Sequence, residues 1–188
     1  MSSDATLALY LMLGQTASKH SSEHPSVVDG KPLMISDNYD LASSLPETVK
    51  NANHAIEGYR LFFVFETYLK DFVIQTLTKD GKEQWWDKIP KDVQDEITKL
   101  EDTEEMKSWM SLGSRDKSAL MTYPQLLRVI DVCWKDYFQD VIRDKALVQE
   151  ARLISHLRNT LCHMTCISDE ETDRIKMVIR DWFRVVSP

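Results

Sequence analysis

The chain has 188 residues, 43% of them hydrophobic, which suits a single domain with a core of its own plus an arm. Five glycines and six prolines are too few for a turn-rich all-β fold. A net charge of −7 excludes a generic polyanion binder, but the balance is uneven: residues 143–188 carry +1 and the first 142 carry −8, so any polyanion contact should involve the C-terminal part.

Three irregularly spaced cysteines do not form a disulfide framework and point to a reducing compartment. Residues 5–13, ATLALYLML, are apolar but too short to span a bilayer, and no basic segment precedes them. The expectation is a cytoplasmic protein without a membrane partner, opened by a short helix that docks elsewhere. Residues 14–47 are polar, show no period, and read as a long loop or arm. The expected division is an arm over 1–47 and a helical domain over 48–188.

From Pro46 to about Thr78 the spacing predicts one long helix with a stripe of Ala52, Ile56, Tyr59, Phe62, Phe63, Glu66, Leu69, Val73 and Leu77. Gly58 is a place where it could bend. Glu66 is the odd member. A carboxylate on an apolar stripe either lies in water at its edge or needs a partner.

Gly81 breaks the pattern, and WWDKIP leads to a helix carrying Val93, Ile97 and Leu100, with Pro90 in its first turn. DTEEMKSWM reads as a separate short helix capped by Asp102 or Thr103. Together they form a helical insertion near residues 83–112, onto which Trp85 and Trp86 pack, or with which they stack on bases. Pro124 starts a broad apolar helix with Leu126, Leu127, Ile130, Cys133, Trp134, Tyr137, Phe138 and Val141. A further helix runs from about Arg143 to Cys162 on Leu147, Ala151, Ile154, Leu157 and Leu161. The last opens on a capping box, Ser168 with Glu171, and buries Ile175, Val178, Ile179, Trp182, Phe183 and Val186. No segment has a strand period. The fold class is all-α, an antiparallel bundle.

The penultimate helix ends in RNTLCH, residues 158–163. At about 100° per residue, Arg158 and His163 stand about 140° apart, whereas Asn159 shares a face with His163 and Arg158 lies beside Cys162. Bringing Arg158 and His163 together requires either a helix that loosens after Leu161 or a second copy across a dimer axis. The residue types suit RNA cleavage by its own 2′-OH. Histidine is a base near neutral pH, and arginine pairs phosphate through two donors. Asn159 could orient either. No metal or other cofactor is expected, since Cys162, His163 and Cys166 lack a fourth zinc ligand. On the last helix Lys176, Arg180 and Arg184 recur every four residues and could track a phosphate backbone, or simply form a solvated face.

RNTLCH matches the R-N-x-x-x-H form of the R-x4–6-H motif of HEPN domains, and its place before a final amphipathic helix is similar to theirs. The WWDKIPKDVQDEI insertion and LMTYPQLLRVIDVCW resemble the HEPN subfamily that accompanies a PIN nuclease in eukaryotic messenger surveillance and also occurs in prokaryotic proteins. The resemblance covers roughly residues 50–186. It implies a four-to-five-helix bundle and a metal-independent endoribonuclease acting on single-stranded RNA as a homodimer. It makes Arg158 and His163 catalytic, with Asn159 supporting and Glu66 the acid that faces the motif. A toxin or defence effector restrained by a protein antitoxin or regulator is one setting for such an enzyme. The alternative is a catalytically idle HEPN module that binds RNA or a protein.

Overall fold

The computed structural model describes residues 32–79, 81, 84–107 and 116–186; the expected N-terminal helix at 5–13 lies outside them. The chain divides into two units, residues 1–54 and 55–188. In the first, the expected structureless arm contains a small antiparallel hairpin, β1 (Met34–Ser36) and β2 (Tyr39–Asp40), turning on Asp37 and Asn38. Strands of three and two residues are too short for a period to be visible, and the turn residues carried the only signal. Asp40 then caps α1 (Leu41–Ser44), its carboxylate accepting from the Ala42 backbone N–H at 2.9 Å.

The second unit is the helical bundle. Its spine is the part of α2 (Pro46–Thr78) from Ala55 onward, which runs unbroken through Gly58. Beyond Gly58, the buried positions of α2 are Phe62, Phe65, Leu69, Val73 and Leu77. The stripe is therefore narrower than expected and rotated: Ile56, Tyr59 and Phe63 are exposed, and Phe65, which lies off the predicted stripe, is fully buried. Phe65 meets Trp182 edge-on at 5.6 Å and Tyr123 at 6.0 Å, while Phe72 meets Trp182 at 6.2 Å. Edge-to-face rings of this kind add to the area that they bury.

The insertion comprises α3 (Trp85–Lys88) and α4 (Lys91–Glu105). The helix expected from Asp102 onward is instead the end of α4; residues 108–110 of that segment lie outside the described ones. Trp85 and Trp86 pack against the core, and the Lys117 ammonium sits over the Trp86 ring at 4.3 Å. Lys88 donates to the Leu77 carbonyl at 2.7 Å, which satisfies an open acceptor at the end of α2.

After a short 3-10 turn (Lys117–Leu120) comes α5 (Tyr123–Val132), begun by a capping box of Thr122 and Gln125 that the sequence reading passed over. The expected continuation to Val141 gives way at Cys133 to a π turn (Trp134–Phe138). The expected helix over 143–162 is also divided, into α6 (Ala146–Leu153) and α7 (Ser155–Cys162). The whole predicted stripe, Leu147 through Leu161, is nonetheless buried, with Ile154 at the joint completely so. The joint is supported by His156, whose Nδ1 lies 2.6 Å from the Leu153 carbonyl. Finally α8 (Asp169–Val186) closes the bundle. Ser168 Oγ accepts from the Glu171 N–H at 3.3 Å, as expected of its N-cap. Among the described residues, no helix is long and apolar enough to cross a membrane.

Candidate active site

The site begins with a close approach of two helices. Gly58 in α2 is buried, and a Cβ placed there would stand 3.0 Å from Leu161 Cδ1 and 3.2 Å from Ile167 Cδ1. A side chain longer than a methyl would crowd Leu161 and Ile167; glycine lets the motif helix lie against α2.

That proximity gives Arg158 its partner. Its Nε donates to Glu66 Oε2 at 3.3 Å, and the two side chains are 26% and 14% exposed. The expected contact between Glu66 and the motif is therefore present, and the acid is neither in water nor alone. The other oxygen, Oε1, faces the Lys70 ammonium at 3.6 Å. Lys70 was not singled out from the sequence; its spacing of four from Glu66 was the available signal. Lys70 also reaches the Ala119 carbonyl at 3.5 Å. One carboxylate thus stands between two cations, and the cluster carries a net charge of +1. Tyr123, packed behind this group, donates its hydroxyl to the Ala151 carbonyl at 2.8 Å. Burial, and then the Glu66 charge, push its phenol far above the ordinary range, so it stays protonated.

Arg158, Glu66 and Lys70 line an open cavity of about 180 Å³, together with Tyr59, Phe62, Phe63, Thr67, Leu161 and Cys162. Arg158 and Cys162, four apart, share this side of α7, as the helical spacing required. Asn159 and His163 are exposed and are not among the lining residues.

His163 is nevertheless firmly held. It is the C-cap of α7, and the helix ends in a Schellman motif. The Thr165 N–H donates to the Thr160 carbonyl at 3.2 Å, and the Met164 N–H donates to the Leu161 carbonyl at 3.0 Å. Met164 takes the left-handed position, φ 58°, that glycine usually fills. Of the two arrangements that would unite Arg158 with His163, early loosening of the helix is therefore absent: α7 keeps its geometry to Cys162.

The basic row of α8 lies apart from this cavity. Lys176 pairs with Glu57 at 2.8 Å and Asp173 at 3.4 Å; Arg180 and Arg184 approach Asp181 at 3.1 and 3.6 Å. Among the described residues, no group of three or more His, Cys, Asp or Glu is placed to hold a metal ion.

A helical bundle with an R-N-x-x-x-H sequence at the end of its penultimate helix, faced by an acid from its long first helix, has the HEPN arrangement. Residues 60–187 match the family model for Swt1-like HEPN. The chain belongs to that family, and the family gives it an RNA-related role of the nuclease kind. No curated protein and no solved structure matches it.

Proposed function

We propose that the protein is an endoribonuclease that cleaves single-stranded RNA without a metal, through a site completed by two copies of the chain. The observation that carries this reading is the split of the motif. Arg158 is aimed by Glu66 into a cavity, while His163 stands outside that cavity at a rigid helix end. Neither half is a site alone. A two-fold contact between the ends of two α7 helices would set the histidine of one copy beside the arginine of the other, and such a contact is self-complementary by nature. Two large apolar side chains at the ends of this segment, Leu153 and Met164, are 69% and 92% exposed and suit such a contact.

In the reaction, the 2′-OH attacks the adjacent phosphorus and loses its proton to a base. The bond from phosphorus to the 5′-oxygen breaks, and that oxygen takes up a proton. The products are a 2′,3′-cyclic phosphate and a 5′-hydroxyl. His163 supplies the base or the acid. Arg158 holds the phosphate, whose negative charge increases as the 2′-oxygen adds. Asn159, one helical turn before His163, orients the ring or the phosphate. The α8 row contributes little field, because Glu57, Asp173 and Asp181 offset it.

The test is incubation of the pure protein with single-stranded RNA in chelator, with product ends identified. His163→Ala is expected to lower the rate by about 10²-fold or more. Arg158→Lys keeps the charge but loses the planar fork and is also expected to be damaging. DNA, lacking the 2′-OH, should survive. Loss of cleavage in chelator would overturn the metal-free reading. Binding without cleavage under every condition would establish instead the idle RNA-binding module.

A further inference from the structure

The wall of the Arg158 cavity holds a feature that the proposed chemistry does not use. Tyr59 and Phe63, one turn apart on α2, are 59% and 61% exposed. Their ring centroids lie 6.2 Å apart with a tilt of 31°, so the rings stand side by side and do not cover each other. Two neighbouring exposed rings at the mouth of a cavity form a contiguous apolar patch, the kind of surface that marks a ligand-binding groove. Next to them, and on the same cavity, is Lys70, an ammonium on Glu66 that has no part in the proton transfers. Thr67, between them, gives its hydroxyl proton to the Phe63 carbonyl at 2.7 Å and has no donor left for a ligand.

We propose that Tyr59, Phe63 and Lys70 form a nucleotide subsite, in which the aromatic rings take a base of single-stranded RNA and Lys70 takes the phosphate next to the one held by Arg158. The proposal rests on the ribonuclease reading for its choice of ligand. Three properties of the cavity support that choice. Its size, about 180 Å³, falls below the ~300 Å³ at which sites begin to enclose a whole drug-sized ligand, so it suits one base or one phosphate of a chain that continues outside. Its charge is complementary: two cations share one carboxylate and retain a net charge of +1 in the cavity wall. Its pattern of aromatic rings beside basic groups is the one that single strands use, because every base has a face to stack and every link a phosphate. An apolar surface of a second copy would cover the rings but leave Lys70 and Arg158 against a surface with nothing to offer them. The hydrogen-bonding groups here serve the phosphates and not base edges, so the subsite admits any base and favours unpaired strands over duplex.

The experiment separates binding from cutting. A fluorescein-labelled single-stranded RNA decamer, 2′-O-methylated throughout so that it cannot be cleaved, is titrated with the full chain and followed by anisotropy. Tyr59→Ala and Phe63→Ala are each expected to weaken binding about 5- to 150-fold, the span of one lost base stack. Tyr59→Phe and Phe63→Tyr keep a ring and should keep the affinity. Lys70→Gln should flatten the salt dependence by about 0.7 in the log–log slope, the share of one single-strand phosphate. Sedimentation of each variant runs alongside. Unchanged affinity in both alanine variants overturns the subsite, as does absence of binding by the wild type. Conversion of dimer to monomer by Tyr59→Ala or Phe63→Ala also overturns it, and makes this face a contact between copies. Loss of binding in the variants of a wild type that never cuts RNA leaves the subsite standing and removes the nuclease. Cleavage by the wild type together with unchanged affinity in both alanine variants does the reverse.

Discussion

Removing the Glu66 carboxylate should do two opposite things. Glu66 is 14% exposed and holds Arg158 at 3.3 Å and Lys70 at 3.6 Å. A well-formed hydrogen bond to a charged group contributes about 1.5–3 kcal/mol, but 3.3 Å is longer than the ~2.7–2.9 Å of a strong charge-assisted bond. Arg158 is also 26% exposed, so solvent screens the pair. Glu66→Ala is therefore expected to cost about 1–2 kcal/mol, of which about 0.5–1 kcal/mol is coupling to Arg158. At this chain length that is a fall of roughly 2–8 °C in Tm. The assay is urea unfolding of wild type, Glu66→Ala, Arg158→Ala and the double variant. In parallel, the same substitution frees two cations from their acid, so RNA should bind more tightly while cleavage falls, because Arg158 has lost its aim. Glu66 acts through Arg158 and is a positioning residue; the opposed changes in binding and rate distinguish that role from a merely structural one. Coupling below about 0.3 kcal/mol, the usual limit of additivity, would refute the pairing argument. Parallel falls in binding and rate would refute the aiming argument.

The other predictions concern the supports of the site. Gly58→Ala should be nearly neutral: the helix gains about 1 kcal/mol of propensity, and the 3.0 Å neighbour is the movable end of Leu161. Gly58→Val should cost about 1–3 kcal/mol as an overpacked contact; equal unfolding midpoints for the two variants would remove the close-approach argument. Met164→Gly should raise stability by about 0.5–1 kcal/mol in urea unfolding, because glycine takes the left-handed position at φ 58° without penalty. Asp131 carries a pH dependence: the Lys145 ammonium at 2.6 Å, with Arg152 at 2.9 Å, holds its carboxyl below the usual range. A depressed folded-state pKa stabilises above the unfolded value of about 3.9 and ceases to do so as pH falls through the folded one. Asp131→Asn should thus cost about 1 kcal/mol at pH 7, and the gap from wild type should close on acidification below pH 4; a gap that is constant to pH 2 would contradict it.

Much of the bundle was legible because helices bury a face with a fixed period. The stripe from Leu147 to Leu161 was read correctly even though the helix breaks at Ile154, since Ile154 stays buried and the two segments keep one side to the core. Breaks of this kind leave no mark in a pattern of apolar residues. The π turn after Cys133 escaped for the same reason, and the hairpin at 34–40 because its strands are shorter than two periods. The error on α2 was of another kind. Its aromatic and aliphatic residues recur at spacings of three and four on overlapping faces, and apolarity alone cannot say which face the other helices cover. Phe65 is inside and Phe63 outside because Trp182 and Tyr123 arrive on the side of Phe65. That information lies in helices far along the chain.

The site was legible to the extent that chemistry constrains residue types. An acid on an apolar stripe needed either water or a cation, and Glu66 meets Arg158 across 92 positions. The same requirement did not reach Lys70, because a lysine four residues from a glutamate on a helix satisfies itself locally and is commonplace. Nor did it reach the rigidity of His163, which depends on where the backbone carbonyls of Thr160 and Leu161 find their donors. The 140° between Arg158 and His163, however, followed from helical geometry alone, and the Schellman end of α7 fixes the histidine in that position. The backbone at the end of the motif is therefore set by hydrogen bonds within α7 itself. Unwinding this end would cost those bonds, whereas the proposed contact with a second copy would leave them in place.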